Sequence, residues 1–188
     1  MRNALPQARR AADLDEAARG GTVVIGVGNE FRGDDAAGLI VARRLHERAA
    51  LQAVVLIWEA DPAGLLEAWN GAELAIVVDS AVSGAEPGTV KRLDASAVPL
   101  PARPPIGSTT HALGVTEAIE LARALDRLPR RLVVYCIEGS SFATGAAMDP
   151  SVERAIDHTV ERIVGDLEWR PPRDAQRRSG ADELPGES

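Results

Sequence analysis

The stretch of this sequence that decides the fold reads Thr22-Val23-Val24-Ile25-Gly26-Val27 and leads into a polar turn at Gly28–Gly33. A β-branched run between glycines is typical of a strand that is buried on both faces. After the turn, apolar residues recur at helical spacing, namely Leu39, Ile40, Val41 and Leu45. Asp34 or Asp35 can cap that helix. The stretch therefore predicts a strand–turn–helix unit.

The rest of the chain repeats this alternation of strands and helices. Apolar runs predict further buried strands, at 53–58, 74–78 and 131–137. Helices are predicted to start at polar positions, namely Asp61, Thr109 and Asp149. Thr89–Leu93 alternates apolar and polar residues, which favours a half-exposed antiparallel edge strand. We therefore predict an α/β fold, a three-layer doubly wound sandwich around a mainly parallel sheet of about five strands.

The predicted helices carry apolar stripes that should face the sheet. The second helix presents Leu65, Leu66 and Trp69, and the third presents Leu113, Ala118, Ile119, Ala122 and Leu125. The last helix presents Val152, Ala155, Ile156, Val160, Ile163, Val164 and Leu167. The single cysteine, Cys136, lies within an apolar run and is expected to be a buried small side chain, which suits a reducing cytoplasm.

Length and composition indicate one domain with extensions at both ends. The chain has 188 residues, of which 45% are hydrophobic, enough for a single sizeable core. We expect a flexible N-terminal extension at 1–21, a single α/β domain at 22–169 and a disordered tail at 170–188, because the terminal segments have little to bury. The N-terminal segment lacks the apolar core of a secretory signal.

The overall charge bears on the class of partner. The formal net charge is −7, so the protein offers no basic field for a phosphate backbone, and a nucleic-acid partner is not expected. The chain has no apolar run of the length that crosses a membrane, so we expect no membrane partner either.

Candidate functional residues follow the ends of the predicted strands. In an open α/β sheet, ligands bind beyond the carboxyl ends of the parallel strands. The polar residues at those positions are Asp34, Asp35, Glu59, Asp61, Asp79, His111 and Glu138. An imidazole with two carboxylates suits a divalent ion such as nickel or zinc.

Structural interpretations of the same residues stay open. Asp34 is expected to be the helix N-cap, which leaves Asp35 to face the site. An aspartate at a strand end, such as Asp79, often forms a turn, and a histidine at a helix start, such as His111, often bonds a backbone group. Gly26–Gly33 contains glycines as a nucleotide-binding loop does, but it lacks the third glycine of the dinucleotide fingerprint and any Gly-Lys-Ser/Thr.

Ordered motifs give the chain a resemblance to a known family. They are Gly26–Asp35, Ile76–Ser80 followed by Pro87-Gly88, Thr110–Gly114, and Ile137–Gly139 followed by Pro150. In this order, over roughly Thr22 to Leu167, the sequence resembles the hydrogenase maturation protease family. It departs from the family's usual Gly-Gly pair after the second strand, where it has Glu59-Ala60-Asp61-Pro62, a stiffer segment.

The resemblance implies a function and a set of site residues. It implies a cytoplasmic endopeptidase that removes a C-terminal peptide from the nickel-loaded precursor of a NiFe-hydrogenase large subunit. Asp35, Asp79 and His111 would contact nickel carried by the precursor, and the same residues would be catalytic. The precursor is the implied partner, the protease is expected to be a monomer, and another divalent metal could replace nickel in vitro. The carboxylates are candidates for the general base, in an aspartate-type or a metal-assisted mechanism.

Two other functions remain open at this point. A different metal-dependent hydrolase could use the same residues on small amide substrates. A non-enzymatic α/β module that binds a nucleotide or a protein would have the acidic residues only as helix caps and turn formers.

Overall fold

The structure is a computed structural model that describes residues 20–48, 52–58, 62–96 and 110–168. Strands and helices alternate along the chain, as the sequence predicts. The elements are β1 (Thr22–Val27), a 3-10 turn (Gly33–Ala36), α1 (Ala37–His46), β2 (Val54–Trp58), α2 (Pro62–Ala68), β3 (Leu74–Ala81), β4 (Val90–Asp94), α3 (Thr110–Ala124), β5 (Arg131–Glu138) and α4 (Pro150–Glu168).

The strands form one five-stranded sheet in the order β2-β1-β3-β5-β4. Strands β2, β1, β3 and β5 are parallel, and β4 pairs antiparallel with β5 at the edge. Ile25 of β1 pairs with Leu56 on one side and with Val77 on the other, so β1 and β3 occupy the interior of the sheet. The predicted α/β class, the parallel sheet and the antiparallel edge strand are confirmed.

Two hydrophobic cores lie on opposite faces of the sheet. On the first face, α2 and α3 cover the sheet with buried residues that include Leu65, Leu66 and Ile119. On the second face, α1 and α4 do so with Val41, Leu45 and Ile156 among others. The arrangement is the predicted three-layer sandwich, and Cys136 is buried in the first core as expected.

Helix α1 approaches the sheet so closely that only glycine fits at the contact. A Cβ atom on Gly38 would lie 2.3 Å from the carbonyl oxygens of Val27 and Val78, far inside van der Waals contact. A Cβ atom on Gly26 would lie 2.2 Å from the Gly38 oxygen. Because α1 rests directly on β1 and β3, the turn that precedes it lies over the carboxyl ends of these two strands.

Some details differ from the sequence-based expectation. Strand β3 continues beyond Val78 to Ala81, because its partner β5 runs to Glu138 and the ladder pairs Asp79 with Cys136 and Ser80 with Ile137. Leu125, expected on the buried stripe of α3, is 53% exposed because the helix ends at Ala124.

The ends of the chain are only partly described. Gly20 donates a hydrogen bond to Gly71, and Gly21 accepts one from Glu73, so both residues are joined to the domain. The rest of the expected N-terminal extension and the tail at 170–188 lie outside the described residues. The helices that are described include none long and apolar enough to cross a membrane.

Candidate functional site

Asp35 lies in the 3-10 turn that links β1 to α1, and its side chain is fully buried. The turn is folded back onto the end of β1, where Gly28 has φ 146° and the N–H of Asn29 donates to the Asp35 carbonyl at 3.2 Å. A Cβ atom on Gly28 would lie 1.9 Å from that carbonyl oxygen. The glycine therefore allows the close approach that brings Asp35 over the sheet.

Asp79 is also fully buried, near the end of β3. Its Oδ1 accepts a hydrogen bond of 2.8 Å from the backbone N–H of Ser80. Its Oδ2 accepts no hydrogen bond from any described residue. A buried carboxylate oxygen without a hydrogen-bond partner lowers the stability of the folded protein. Its presence here makes Asp79 a candidate functional residue.

Ser80 joins the two aspartates. Its hydroxyl donates to Oδ1 of Asp35 at 3.0 Å, while its backbone N–H donates to Oδ1 of Asp79. Side chains alternate along a strand, so Asp79 lies on the face of Val77 in the first core, and Ser80 lies on the face of Val78 in the second core. The two carboxylates thus reach the end of β3 from opposite faces of the sheet.

The surroundings of Asp79 change its acidity. Burial is the main cause that raises the pKa of Asp79 to about 7; the hydrogen bond from the Ser80 N–H opposes this rise, and the charge of Asp35 adds to it. A buried carboxylic acid near another carboxylate behaves in this way because both desolvation and the neighbouring negative charge disfavour its charged form. Asp79 therefore titrates near neutral pH, as candidate acid–base groups do.

Arg32 lies beside Asp35 and connects it to a distant loop. Its Nη1 is 3.7 Å from Asp35 Oδ2, and its Nε donates to the Phe142 carbonyl at 3.0 Å. The guanidinium remains 29% exposed, whereas Asp35 is fully buried. Arg32 therefore places a positive charge between Asp35 and the surface.

Asp34 is not the N-cap that the sequence suggests. The residue preceding α1 is Ala36, and neither the 3-10 turn nor α1 has a side-chain cap. Instead, the buried Asp34 carboxylate accepts the backbone N–H groups of Ser140, Ser141 and Asp149. Its role is to hold the loop after β5 against the turn that carries Asp35.

Glu138 also supports a loop rather than the aspartate pair. Its buried carboxylate accepts the backbone N–H groups of Ser83, Gly84 and Ala85 and the hydroxyl of Ser83. The loop that follows β3 is therefore shaped by the last residue of β5.

The remaining candidates are described less completely. His111 lies in the first turn of α3, and its side chain is outside the described part of the structure. Glu59 and Asp61 also lie outside it. His46 and His158, by contrast, are exposed on helices. Among the described side chains, no three His, Cys, Asp or Glu residues group together as a metal site would require.

The loop after β1 has little capacity to hold a phosphate group. The N–H groups of Asn29, Arg32 and Asp35 donate within the loop, that of Phe31 donates to the Asn29 side chain, and that of Asp34 donates to Ser141. A phosphate cradle needs such N–H groups free and converging on the ligand. The geometry argues against the nucleotide-binding alternative.

Comparison with known proteins identifies the family. Residues 40–166, well over half of the chain, match the HycI family model, which describes hydrogenase maturation proteases. The chain belongs to the hydrogenase maturation protease family. The hydrogenase 2 maturation protease of Escherichia coli (strain K12) is 27% identical over 169 residues, which cover 88% of this chain and 96% of the relative.

Solved structures of hydrogenase maturation proteases share the fold. The hydrogenase maturating endopeptidase HybD from E. coli is 26% identical with a TM-score of 0.66, covering 78% of this chain and 91% of HybD. The [NiFe] hydrogenase maturation protease HycI from Thermococcus kodakarensis KOD1, at 22% identity and a TM-score of 0.61, covers 83% of this chain and 98% of its own and agrees in fold. The enzyme class predicted from the sequence, a hydrogenase maturation endopeptidase, is confirmed at the level of the family.

Sequence reasoning missed two residues beside the aspartate pair of this maturation protease. The strand predicted from the sequence ends at Val78, before Ser80, and no local signal links the Ser80 hydroxyl to Asp35, which lies 45 residues earlier in the chain. Arg32 stands three residues before Asp35, a spacing that brings side chains together in a helical turn.

Proposed function

We propose that this protein is an endopeptidase that removes a C-terminal peptide from the nickel-loaded precursor of a NiFe-hydrogenase large subunit. Asp35, Asp79 and His111 contact the nickel that the precursor carries. The observation that carries the proposal is the pair of fully buried aspartates joined by Ser80 at the carboxyl ends of β1 and β3. Family membership supplies the reaction class.

The chemistry of the donor set supports the proposal. Two carboxylates and an imidazole suit a borderline divalent ion such as nickel, and they leave other positions on the ion for groups of the precursor. Asp79 Oδ2, which is buried and has no hydrogen-bond donor among the described residues, is a free acceptor for such an ion. Here nickel is part of the substrate, so contact with the nickel allows the protease to distinguish a loaded precursor from an empty one.

The placement of α3 supports the inclusion of His111. Helix α3 covers the first face of the sheet, the face on which Asp79 lies, and it ends shortly before β5 begins. Its 15 residues span about 22 Å, close to the length of β5. The first turn of α3, with His111 in it, therefore lies at the same end of the sheet as Asp79.

The carboxylate pair is also our assignment for proton transfer. A carboxylate acting as general base takes a proton from water, the oxygen attacks the scissile carbonyl carbon, and the proton passes to the leaving amine. Contact with the nickel of the precursor holds the peptide bond just beyond the metal-binding motif near these groups, which supplies proximity. Asp79, with its pKa raised to about 7, is suited to exchange a proton near neutral pH.

The proposal extends to partner and setting. The partner is the large-subunit precursor, and neither nucleic acid nor membrane takes part, in agreement with the net charge of −7. The protease acts in the cytoplasm as a monomer and activates the hydrogenase by processing it, and another divalent ion can stand in for nickel in vitro.

The test is mass spectrometry of the nickel-loaded precursor after incubation with the protease. The wild-type protein should remove a C-terminal peptide, and Asp35→Asn, Asp79→Asn and His111→Ala should each abolish the removal while the protein stays folded. Matched controls are His158→Ala and Asp157→Asn, which change exposed residues of α4 and should keep full activity.

Each alternative function has its own outcome in this experiment. Cleavage of the nickel-free precursor or of short free peptides at the same rate would indicate a different metal-dependent hydrolase. Thermal stabilisation by a nucleotide, with no cleavage of the loaded precursor, would indicate a binding module. Full processing by all three site variants would refute the assignment of the site residues.

A further inference from the structure

Ser80 forms hydrogen bonds with both aspartates of the site. Its hydroxyl bonds Asp35 at 3.0 Å and its backbone N–H bonds Asp79 at 2.8 Å, and the residue is fully buried. We propose that Ser80 is a positioning residue, whose hydroxyl holds the Asp35 carboxylate in the orientation in which it and Asp79 together contact the nickel of the precursor. This inference rests on the proposed function.

The two aspartates differ in how firmly the backbone holds them. Asp79 belongs to β3, an interior strand paired with β1 and β5, and the Ser80 backbone is fixed by its pairing with Ile137. Asp35 belongs to a 3-10 turn of four residues outside the sheet. The Ser80 hydroxyl lies on a rigid strand, and its hydrogen bond to Asp35 restricts the orientation of the Asp35 carboxylate.

The two hydrogen bonds of Ser80 can be separated by mutation. Replacing Ser80 with alanine removes the hydroxyl and its bond to Asp35, but it keeps the backbone N–H that bonds Asp79. The variant therefore changes the support of one carboxylate alone. A hydrogen bond to a charged group contributes more than a neutral one. Its loss should therefore reduce the nickel-dependent gain in affinity for the precursor by about ten-fold.

A simple packing role for Ser80 would give a different result. Cysteine is close to serine in shape but is a weak donor, whereas threonine keeps the hydroxyl and adds a methyl group. If the hydrogen bond matters, Ser80→Ala and Ser80→Cys should fail alike, and Ser80→Thr should restore function to the extent that it folds. If the threonine variant does not fold, the comparison of the alanine and cysteine variants still distinguishes loss of the hydrogen-bond donor from loss of side-chain volume.

The experiment measures binding of the full-length protein to the nickel-loaded and the nickel-free precursor by calorimetry, which needs no cleavage. Wild-type protein should bind the loaded form more tightly, and Ser80→Ala should reduce this nickel-dependent gain about ten-fold without changing affinity for the empty form. Ser83→Ala is the matched control, since its hydroxyl also bonds a buried carboxylate, Glu138, and it should retain the full gain. Thermal melting establishes that each variant is folded.

A double-mutant cycle identifies the carboxylate through which Ser80 acts. In the Asp35→Ala background, which has no side-chain acceptor for the Ser80 hydroxyl, Ser80→Ala should have no further effect on the nickel-dependent gain, whereas in the Asp79→Asn background it should still lower it. An unchanged gain in Ser80→Ala, or an equal loss of affinity for both precursor forms, would overturn the inference. If wild-type protein binds and processes neither form better than the other, it is the proposed function that fails.

Discussion

The carboxylate of Asp34 accepts the backbone N–H of Asp149 at 2.7 Å, although 115 residues separate the two in the chain. The same carboxylate accepts the N–H groups of Ser140 and Ser141, each at 2.8 Å. These bonds fasten the loop after β5 to the turn that holds Asp35. The neighbouring aspartates thus have different tasks, Asp34 in the architecture of the site and Asp35 in its proposed chemistry.

Replacing Asp34 with alanine should destabilise the protein strongly. The change removes the buried carboxylate that accepts three backbone N–H groups, and we expect a loss of about 3 kcal/mol or more in the free energy of unfolding. Urea denaturation measures it. The control is Glu30→Ala, which removes an exposed ion pair with Arg43 and should cost at most about 1 kcal/mol. Equal losses in both variants would contradict the structural role of Asp34.

The fold was predictable where a single stretch of sequence determines it. Strands buried on both faces appear as continuous apolar runs, so β1 and β5 could be located from the sequence. The end of β3 could not, because pairing with β5 carries the strand through Asp79 and Ser80, which carry no apolar signal. The partners of Asp34 were hidden for a related reason, since they lie more than a hundred residues away.

The contact between α1 and the sheet should not tolerate a methyl group. Gly38→Ala would place a Cβ atom 2.3 Å from the Val27 and Val78 oxygens, which are backbone atoms of interior strands and cannot move aside. We expect the variant to lose most of its stability. Gly165→Ala in α4 is the matched control, because a Cβ atom there meets nothing within 4 Å. That control should gain up to about 1 kcal/mol from helix propensity.

Circular dichroism with thermal melting distinguishes the two glycine variants. Gly38→Ala should melt far below the wild-type protein or fail to fold, whereas Gly165→Ala should melt at or above it. A wild-type melting temperature in Gly38→Ala would mean that α1 does not pack on β1 and β3 as closely as described.

Glu138 should control the mobility of the loop after β3. Its Oε1 accepts the N–H groups of Ser83, Gly84 and Ala85, and Oε2 accepts the Ser83 hydroxyl. Glu138→Ala removes all these bonds and should accelerate amide hydrogen exchange of the loop by more than about ten-fold, as expected for a loss above 1.4 kcal/mol. Glu138→Gln should change it much less, because an amide oxygen can replace Oε1. Similar exchange in wild-type and Glu138→Ala protein would refute the role.

The pKa of Asp79 predicts how stability depends on pH. Burial raises this pKa from 3.8 to about 7, so the folded protein binds the proton more tightly than the unfolded chain does. The stabilising contribution is therefore complete below about pH 4 and is lost as pH rises through about 7. At about 1.4 kcal/mol per pKa unit, the loss from Asp79 amounts to at most about 4 kcal/mol.

Asp79→Asn isolates this contribution, because asparagine resembles the protonated acid and does not titrate. Urea denaturation of both proteins at pH 5 and pH 8 should show the wild-type protein losing stability relative to Asp79→Asn by a few kcal/mol between the two pH values. An aspartate with a lowered pKa would have the opposite effect. The wild-type protein would then gain stability relative to the variant as pH rises, and it would do so in a more acidic range. Parallel stability curves from pH 5 to pH 8 would show that Asp79 does not hold a proton in the folded protein near neutral pH.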